Sequence, residues 1–293
     1  MTLTPWEHAS PVTGTVLRGW RSAPSGKPLL YFLHGNGFCG RVYEPMLQAL
    51  ATDFDLWLCD ATGHGDSEAA PHFPGWNACA SAALEAFQAG RAAYGDVRCM
   101  AVGHSFGGVQ TALLLAEPGQ PFARAVLLDP VLFPPTMLLA AQLMGRVGSG
   151  LANPLARATR RRRREWPSRD AARERLRGRG TYQGWTEPAL DAFVTHALRD
   201  TPEGQVVLKC TPELEATIFS TMPRQLWSRL RRIAVPTLLL HGDDTMPFVK
   251  TGCARAARHN APHLQVQLTA GGHCFMRQHP AEAAARVRAH LLG

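Results

Sequence analysis

Short, nearly uninterrupted apolar runs recur along the chain, each closed by glycine, proline or aspartate. They are PLLYFLHG (28–35), DLWLCDATGHG (55–65), RCMAVGHS (98–105), RAVLLDP (124–130), PTLLLHGDD (236–244) and LQVQLTAGGH (264–273). Apolar residues at consecutive rather than alternate positions suit strands covered on both faces, as in a parallel sheet. Between the runs lie stretches of helix length, WNACASAALEAFQAGRAAY (76–94) and SFGGVQTALLLAE (105–117). The C-terminal PAEAAARVRAHLL (280–292) opens with proline and ends in a basic turn, each favoured at its place in a helix. Strand and helix in alternation predict an α/β fold with a doubly wound, mostly parallel sheet. The upstream run TGTVLRGWRS (13–22) predicts an antiparallel edge strand.

The alternation stops between about residues 131 and 232, where no convincing buried strand is visible. Helical patches, many arginines and the run RGRGTYQGW (177–185) fill the gap. This predicts a helical cap or lid over 131–232, inserted into a core made of residues 1–130 and 233–293. Phe133, Met137, Leu138, Leu139, Met144, Trp185, Phe193, Phe219 and Trp227 supply it with apolar side chains. Such a set more often packs the cap itself; facing a site, it favours an acyl chain or aromatic group over a sugar.

Composition changes this picture little. A chain of 293 residues accommodates one large domain with an insertion, and it buries roughly three quarters of its unfolded surface without disulfide staples. Seven cysteines without CxxC pairs predict free thiols in a reducing compartment. MTLTPWEHASPVTG lacks the basic start and apolar stretch of a signal peptide, and no apolar run approaches the ~20 residues of a membrane span. The expectation is a cytoplasmic protein with no membrane span.

Charge is informative once located. Residues 157–179 hold eleven arginines against Glu165, Asp170 and Glu174, a local excess of 11 − 3 = +8 that equals the net charge of the whole chain. A solvated cap helix anchored by Trp166 and Leu176 explains this first, an acidic substrate or anionic surface second. No aromatics are interleaved at stacking spacing and no recognition module is present, so nucleic acid is not an expected partner.

One glycine-framed serine carries the chemistry. Gly103, Ser105 and Gly107 form G-x-S-x-G between an apolar run and a helix-like stretch. That context predicts a nucleophile elbow, a turn so sharp that neighbouring side chains would collide. Phe106 then opens the helix, with its backbone N–H available to a bound oxygen. Here the chain resembles the α/β-hydrolase family, serine-nucleophile branch, over about 28–130 and 233–293. HGNGF (34–38) looks like the family's oxyanion loop, which implies the backbone N–H of Asn36 as second donor beside Phe106. DATGHGDS (60–67) resembles a structural turn of the same family.

A serine hydroxyl needs an adjacent base. Among twelve histidines, His273 lies past the last run and ahead of the final helix, the place the resemblance assigns to the general base. His104 is expected to point away, and His34 and His241 to be structural. Three carboxylates compete to orient His273. The family pattern Gly-x-x-Asp is broken, because Thr245 stands three residues after Gly242, as if one residue were deleted. Asp244 is the preferred substitute, Asp129 at the end of LLDP the second choice, Asp243 the third. The resemblance implies a serine hydrolase acting on a small, apolar ester or thioester-like acyl substrate, without cofactor or metal. Carbon–carbon bond hydrolysis or cofactor-free haloperoxidase-type chemistry on the same residues, and a non-catalytic receptor, are the alternatives.

Overall fold

Every apolar run named above becomes a strand of one sheet. The computed structural model describes residues 1–144 and 153–293, the Met144 side chain lying outside that description. The strands are β1 (Thr4–Ser10), β2 (Thr15–Arg21), β3 (Leu29–Leu33), β4 (Asp55–Cys59), β5 (Cys99–His104), β6 (Phe122–Leu128), β7 (Glu165–Trp166), β8 (Leu198–Asp200), β9 (Val206–Leu208), β10 (Thr237–Gly242) and β11 (Leu264–Thr269). The helices are α1 (Glu44–Leu50), α2 (Trp76–Gly90), α3 (Phe106–Leu115), α4 (Pro135–Met144), α5 (Pro154–Arg160), α6 (Arg169–Leu176), α7 (Glu187–His196), α8 (Pro212–Phe219), α9 (Leu226–Leu230), α10 (Pro247–His259), α11 (Phe275–Gln278) and α12 (Pro280–Leu292).

The main sheet has the order β1-β2-β4-β3-β5-β6-β10-β11. From β4 to β11 all neighbours run parallel. Strands β3, β4, β5 and β10 are buried at every position, which is why their sequences do not alternate. Along β3 the pleat sends Leu29, Tyr31 and Leu33 into one core with α2, α3 and α10, and Leu30 and Phe32 into the other with α1 and α12. Each such side chain, fully withdrawn from water, contributes ~1.5–3 kcal/mol.

Two expectations require correction. Residues 15–21 are not the edge, because TPWEHAS forms β1 and pairs with β2 along its whole length. The anchor is Trp6, whose indole Nε1–H donates to the Leu58 carbonyl at 3.1 Å from under the sheet. One buried tryptophan among exposed neighbours leaves little periodic trace. The stretch 131–232 is also not purely helical, since β7, β9 and β8 make a small antiparallel sheet. Strands of two or three residues are too short for a hydrophobic period to register.

The arginine segment is split between α5, β7 and α6 rather than forming one solvated helix. Acids of the same stretch partner much of it. Arg162 meets Glu215 at 2.6 Å, Arg173 meets Glu187 and Asp191 at 2.6 Å, and Arg177 meets Glu174 at 2.7 Å. Arg169 pairs with Asp200. The expected apolar set does not form one wall: Met137 and Leu139 are exposed, whereas Phe193 is fully buried against Tyr182. All seven cysteines are buried and unpaired. No helix among the described residues is long and apolar enough to cross a membrane.

Candidate active site

Strand β5 ends at His104 and α3 begins at Phe106, so Ser105 alone makes the turn, at φ 55 and ψ −112. That conformation is strained for a residue with a side chain. It is held by the Ser105 N–H, which donates to the Leu128 carbonyl at 2.9 Å, and by the Val109 N–H, which donates to the Ser105 carbonyl at 3.0 Å. The flanking glycines are steric necessities. A Cβ on Gly103 would lie 2.3 Å from the Gly107 carbonyl oxygen, and one on Gly107 would lie 2.3 Å from that of Leu33.

Three side chains from distant parts of the chain converge here. His273 Nε2 is 2.9 Å from Ser105 Oγ, and His273 Nδ1 is 2.6 Å from Asp129 Oδ2. Asp129 follows β6 directly, is fully buried, and has a positive φ of 44. Its Oδ1 accepts the Gly242 N–H at 2.9 Å, and its Oδ2 also accepts the Thr245 hydroxyl. A carboxylate against Nδ1 holds the imidazole proton there and leaves the Nε2 lone pair facing the serine.

Asp244 and Asp243 are therefore not brought to His273. Both are exposed. Asp243 Oδ1 accepts the Gly271 N–H at 2.9 Å, and the Asp244 N–H donates to the Gly271 carbonyl at 3.0 Å. The 271–272 backbone lies so close that a Cβ on Gly242 would be 2.2 Å from the Gly271 oxygen, and the two aspartates serve that contact. Thr245 occupies the third position after Gly242 and turns its hydroxyl onto Asp129, so the carboxylate comes from the neighbouring strand.

Phe106 sits at the first position of α3, where the backbone N–H has no intrahelical acceptor. Asn36 is fixed from two sides: its Nδ2 donates to the Glu215 carbonyl at 3.0 Å, and its Oδ1 lies 3.2 Å from His64 Nε2. Among the described residues the Asn36 N–H meets no acceptor. The next residue, Gly37, has φ 79 and packs where a Cβ would be 2.9 Å from the Glu215 carboxyl carbon.

Sequence reasoning missed the groups behind this front. The His273 carbonyl can only accept, so His104 Nε2 carries the proton it shares with that oxygen at 2.9 Å. His104 Nδ1 then accepts the Tyr43 hydroxyl at 2.6 Å, and the Tyr43 oxygen accepts the Gly35 N–H at 2.9 Å. This chain requires a neutral imidazole. Burial holds the His104 pKa well below its ordinary value, and the nearby His273, Arg277 and His34 push the same way. Burial likewise lowers His34 to about 3 and His64 to about 4, and raises Asp60 in the 60–67 turn to about 6. His34 is structural, its Nε2 accepting the Ala61 N–H at 2.9 Å, and His241 lies 3.0 Å from the Gly242 carbonyl. No sequence pattern marks Tyr43 or Thr245 as partners, since each bond spans unrelated segments.

Beside the serine, the Phe106 ring packs on Trp76 at 4.7 Å and on Phe73 at 6.4 Å. Phe73 also lines a cavity of about 480 Å³ with Pro74, Leu214, Thr217 and Lys209. Among the described residues no cluster of three or more metal-ligating side chains occurs.

Comparisons with known proteins agree with this architecture. Residues 30–287 match the alpha/beta hydrolase family. The chain is 34% identical over 97 residues to abhydrolase domain-containing protein AKT2 of Alternaria alternata, a stretch covering 33% of this chain and 32% of that protein. The match thus spans about a third of the length of that curated relative. The fold is similar to the peroxisomal alpha-beta-hydrolase Lpx1 of Saccharomyces cerevisiae, with TM-score 0.74, 15% identity, and coverage of 99% of this chain and 87% of that one. It is also similar to E-2-(acetamidomethylene)succinate hydrolase, with TM-score 0.73, 19% identity and full coverage of both chains.

Proposed function

Since this chain belongs to the alpha/beta hydrolase family, and is on that ground a hydrolase, we propose that it cleaves a carboxylic ester or thioester of a small acyl substrate through an acyl-enzyme. The observation that carries this reading is the unbroken line Ser105 Oγ to His273 Nε2, His273 Nδ1 to Asp129 Oδ2. Ser105 Oγ attacks the carbonyl carbon while its proton passes to His273 Nε2. Asp129, without taking the proton, stabilises the imidazolium that forms. The tetrahedral oxyanion is received by the backbone N–H groups of Phe106 and Asn36, each worth ~10²–10³ in rate. His273 then protonates the leaving alcohol or thiol. In the second half it takes a proton from water as the water oxygen attacks the acyl carbon, and returns that proton to Ser105 Oγ as the C–Oγ bond breaks and the acid leaves.

The stretch 131–232 acts as the cap, and Glu215 on α8 bears on the oxyanion loop through the Asn36 side chain. A non-catalytic receptor has no need of a carboxylate on this imidazole, and Asp129 Oδ2 at 2.6 Å from His273 Nδ1 therefore favours the hydrolase.

A fluorophosphonate probe tests the nucleophile. The protein should be labelled, and Ser105→Ala should abolish labelling; equal labelling of both would remove Ser105 from the mechanism. A panel of p-nitrophenyl esters run beside ring-cleavage diketones tests the substrate class. Turnover of the diketones alone would replace acyl-ester hydrolysis by carbon–carbon bond hydrolysis.

A further inference from the structure

Four residues beyond His273, on α11, Arg277 is 1% exposed, and Nε, Nη1 and Nη2 have no hydrogen-bond partner among the described residues. Its guanidinium carbon lies 3.9 Å from the Phe38 ring centre, 4.0 Å from that of Tyr43 and 4.3 Å from that of Trp185. A buried cation without a carboxylate is costly, and three ring faces are what offsets that cost here.

The three rings come from three parts of the molecule. Phe38 closes the loop that carries Asn36, Tyr43 begins the approach to α1, and Trp185 belongs to the 131–232 stretch. The same stretch is tied to Arg277 through its backbone, because the Thr186 N–H donates to the Arg277 carbonyl at 3.0 Å. Tyr43 is also the middle of the hydrogen-bonded chain from the Gly35 N–H through His104 to the His273 carbonyl. Arg277 therefore touches the wall of the oxyanion loop, one member of the chain that fixes the His273 backbone, and the cover over both.

We propose that Arg277 is a positioning residue for the hydrolysis inferred above: through its cage of Phe38, Tyr43 and Trp185 it fixes the oxyanion loop and the His273 loop relative to each other. The inference rests on that reading of Ser105 and His273. Stacking sets the position of the Tyr43 ring, and the Tyr43 hydroxyl sets His104. The charge adds a second effect, since a cation at the Tyr43 face disfavours a second proton on His104. His104 is faced by Tyr43, His34, His273 and Arg277, and only Arg277 is a permanent cation among them.

The test compares wild type, Arg277→Met, Arg277→Lys and Trp185→Leu, using p-nitrophenyl butyrate and ¹⁵N NMR of the histidine rings. A displacement of about 1 Å in a catalytic group costs ~10² in rate. Arg277→Met should fold, lose about 30- to 100-fold in kcat, keep KM within about threefold, and shift the His104 ring ¹⁵N signals as the Tyr43 hydroxyl moves relative to Nδ1. Arg277→Lys, which keeps the charge, should recover to within about tenfold of wild type. Should Arg277→Met fail to fold, Trp185→Leu removes one wall of the cage and should show the same kcat loss in milder form.

A folded Arg277→Met, or Trp185→Leu in its place, with wild-type kcat and an unchanged His104 ring signal would overturn the proposal. So would a rise in KM in place of the fall in kcat. If wild type and Ser105→Ala are equally active, the hydrolase reading itself falls, whereas the His104 signal still decides whether Arg277 holds the relay.

Discussion

Replacing Asp129 by asparagine isolates the role of the buried carboxylate. Three donors converge on it: Gly242 N–H at Oδ1, with His273 Nδ1–H and the Thr245 hydroxyl at Oδ2. An asparagine must keep its carbonyl oxygen on the Gly242 N–H, because an amide NH₂ there would oppose another donor. The NH₂ then occupies the Oδ2 place. The Thr245 hydroxyl can rotate to accept from it. The imidazole has no such freedom and must present a lone pair at Nδ1, which moves its proton to Nε2, facing Ser105. In that tautomer it cannot take the serine proton. The same trap costs ~10⁴ in kcat in serine proteases, about 5.4 kcal/mol at 1.36 kcal/mol per decade.

The fold should survive, since the positive φ of 44 at this position is one asparagine tolerates. Asp244→Asn is the control, and because that carboxyl is exposed, kcat should stay within about twofold. Initial rates on p-nitrophenyl esters, with circular dichroism to verify folding, give the answer. A folded Asp129→Asn within tenfold of wild type, or a hundredfold loss in Asp244→Asn, would refute the assignment of the carboxylate.

Thr245→Val deletes one donor to Asp129 while keeping the side-chain shape, and kcat should fall about 5- to 20-fold, the equivalent of ~1–2 kcal/mol; an unchanged kcat would make the hydroxyl incidental. Gly107→Ala should yield no soluble folded protein, because its Cβ would meet the Leu33 and His34 carbonyls at 2.3 and 2.5 Å, both backbone atoms; a normal melting curve would contradict the close approach. Stability should fall steeply in acid. His34 and His64 have folded pKa values of about 3 and about 4, below the unfolded value, so the folded form binds fewer protons and stability drains as pH drops below 6.5. At pH 4.5 each histidine costs about 3 kcal/mol, offset by about 2 kcal/mol from Asp60, whose raised pKa of about 6 favours folding as pH falls. The net loss of about 4 kcal/mol is a large part of a typical total stability of ~5–15 kcal/mol. Thermal melts followed by circular dichroism should therefore show the melting temperature falling as pH drops from 6.5 to 4.5. A melting temperature unchanged from pH 7 to 4 would show these imidazoles to be hydrated.

Patterns local to a few consecutive residues were readable in advance. Continuous apolar runs specified the parallel strands, because a strand covered on both faces cannot alternate. The glycines around Ser105 signalled the elbow, because only they fit the Gly103 and Gly107 contacts. His273 was marked by its place after the last strand. What lay beyond the reach of sequence was every choice between equivalent side chains brought together over long distances. Asp129, Asp243 and Asp244 are chemically identical in the chain. The pairing of β6 with β10 and the approach of residues 271–272 to Gly242 decide that Asp129 meets His273, leaving the other two in water. Arg277 lies in an ordinary-looking CFMRQ, and only the packing of Phe38, Tyr43 and Trp185 around it turns a surface-type residue into a buried cation. Sequence governs backbone preference within a few residues, whereas hydrogen-bond partners and burial depend on which segments the fold stacks at contact distance.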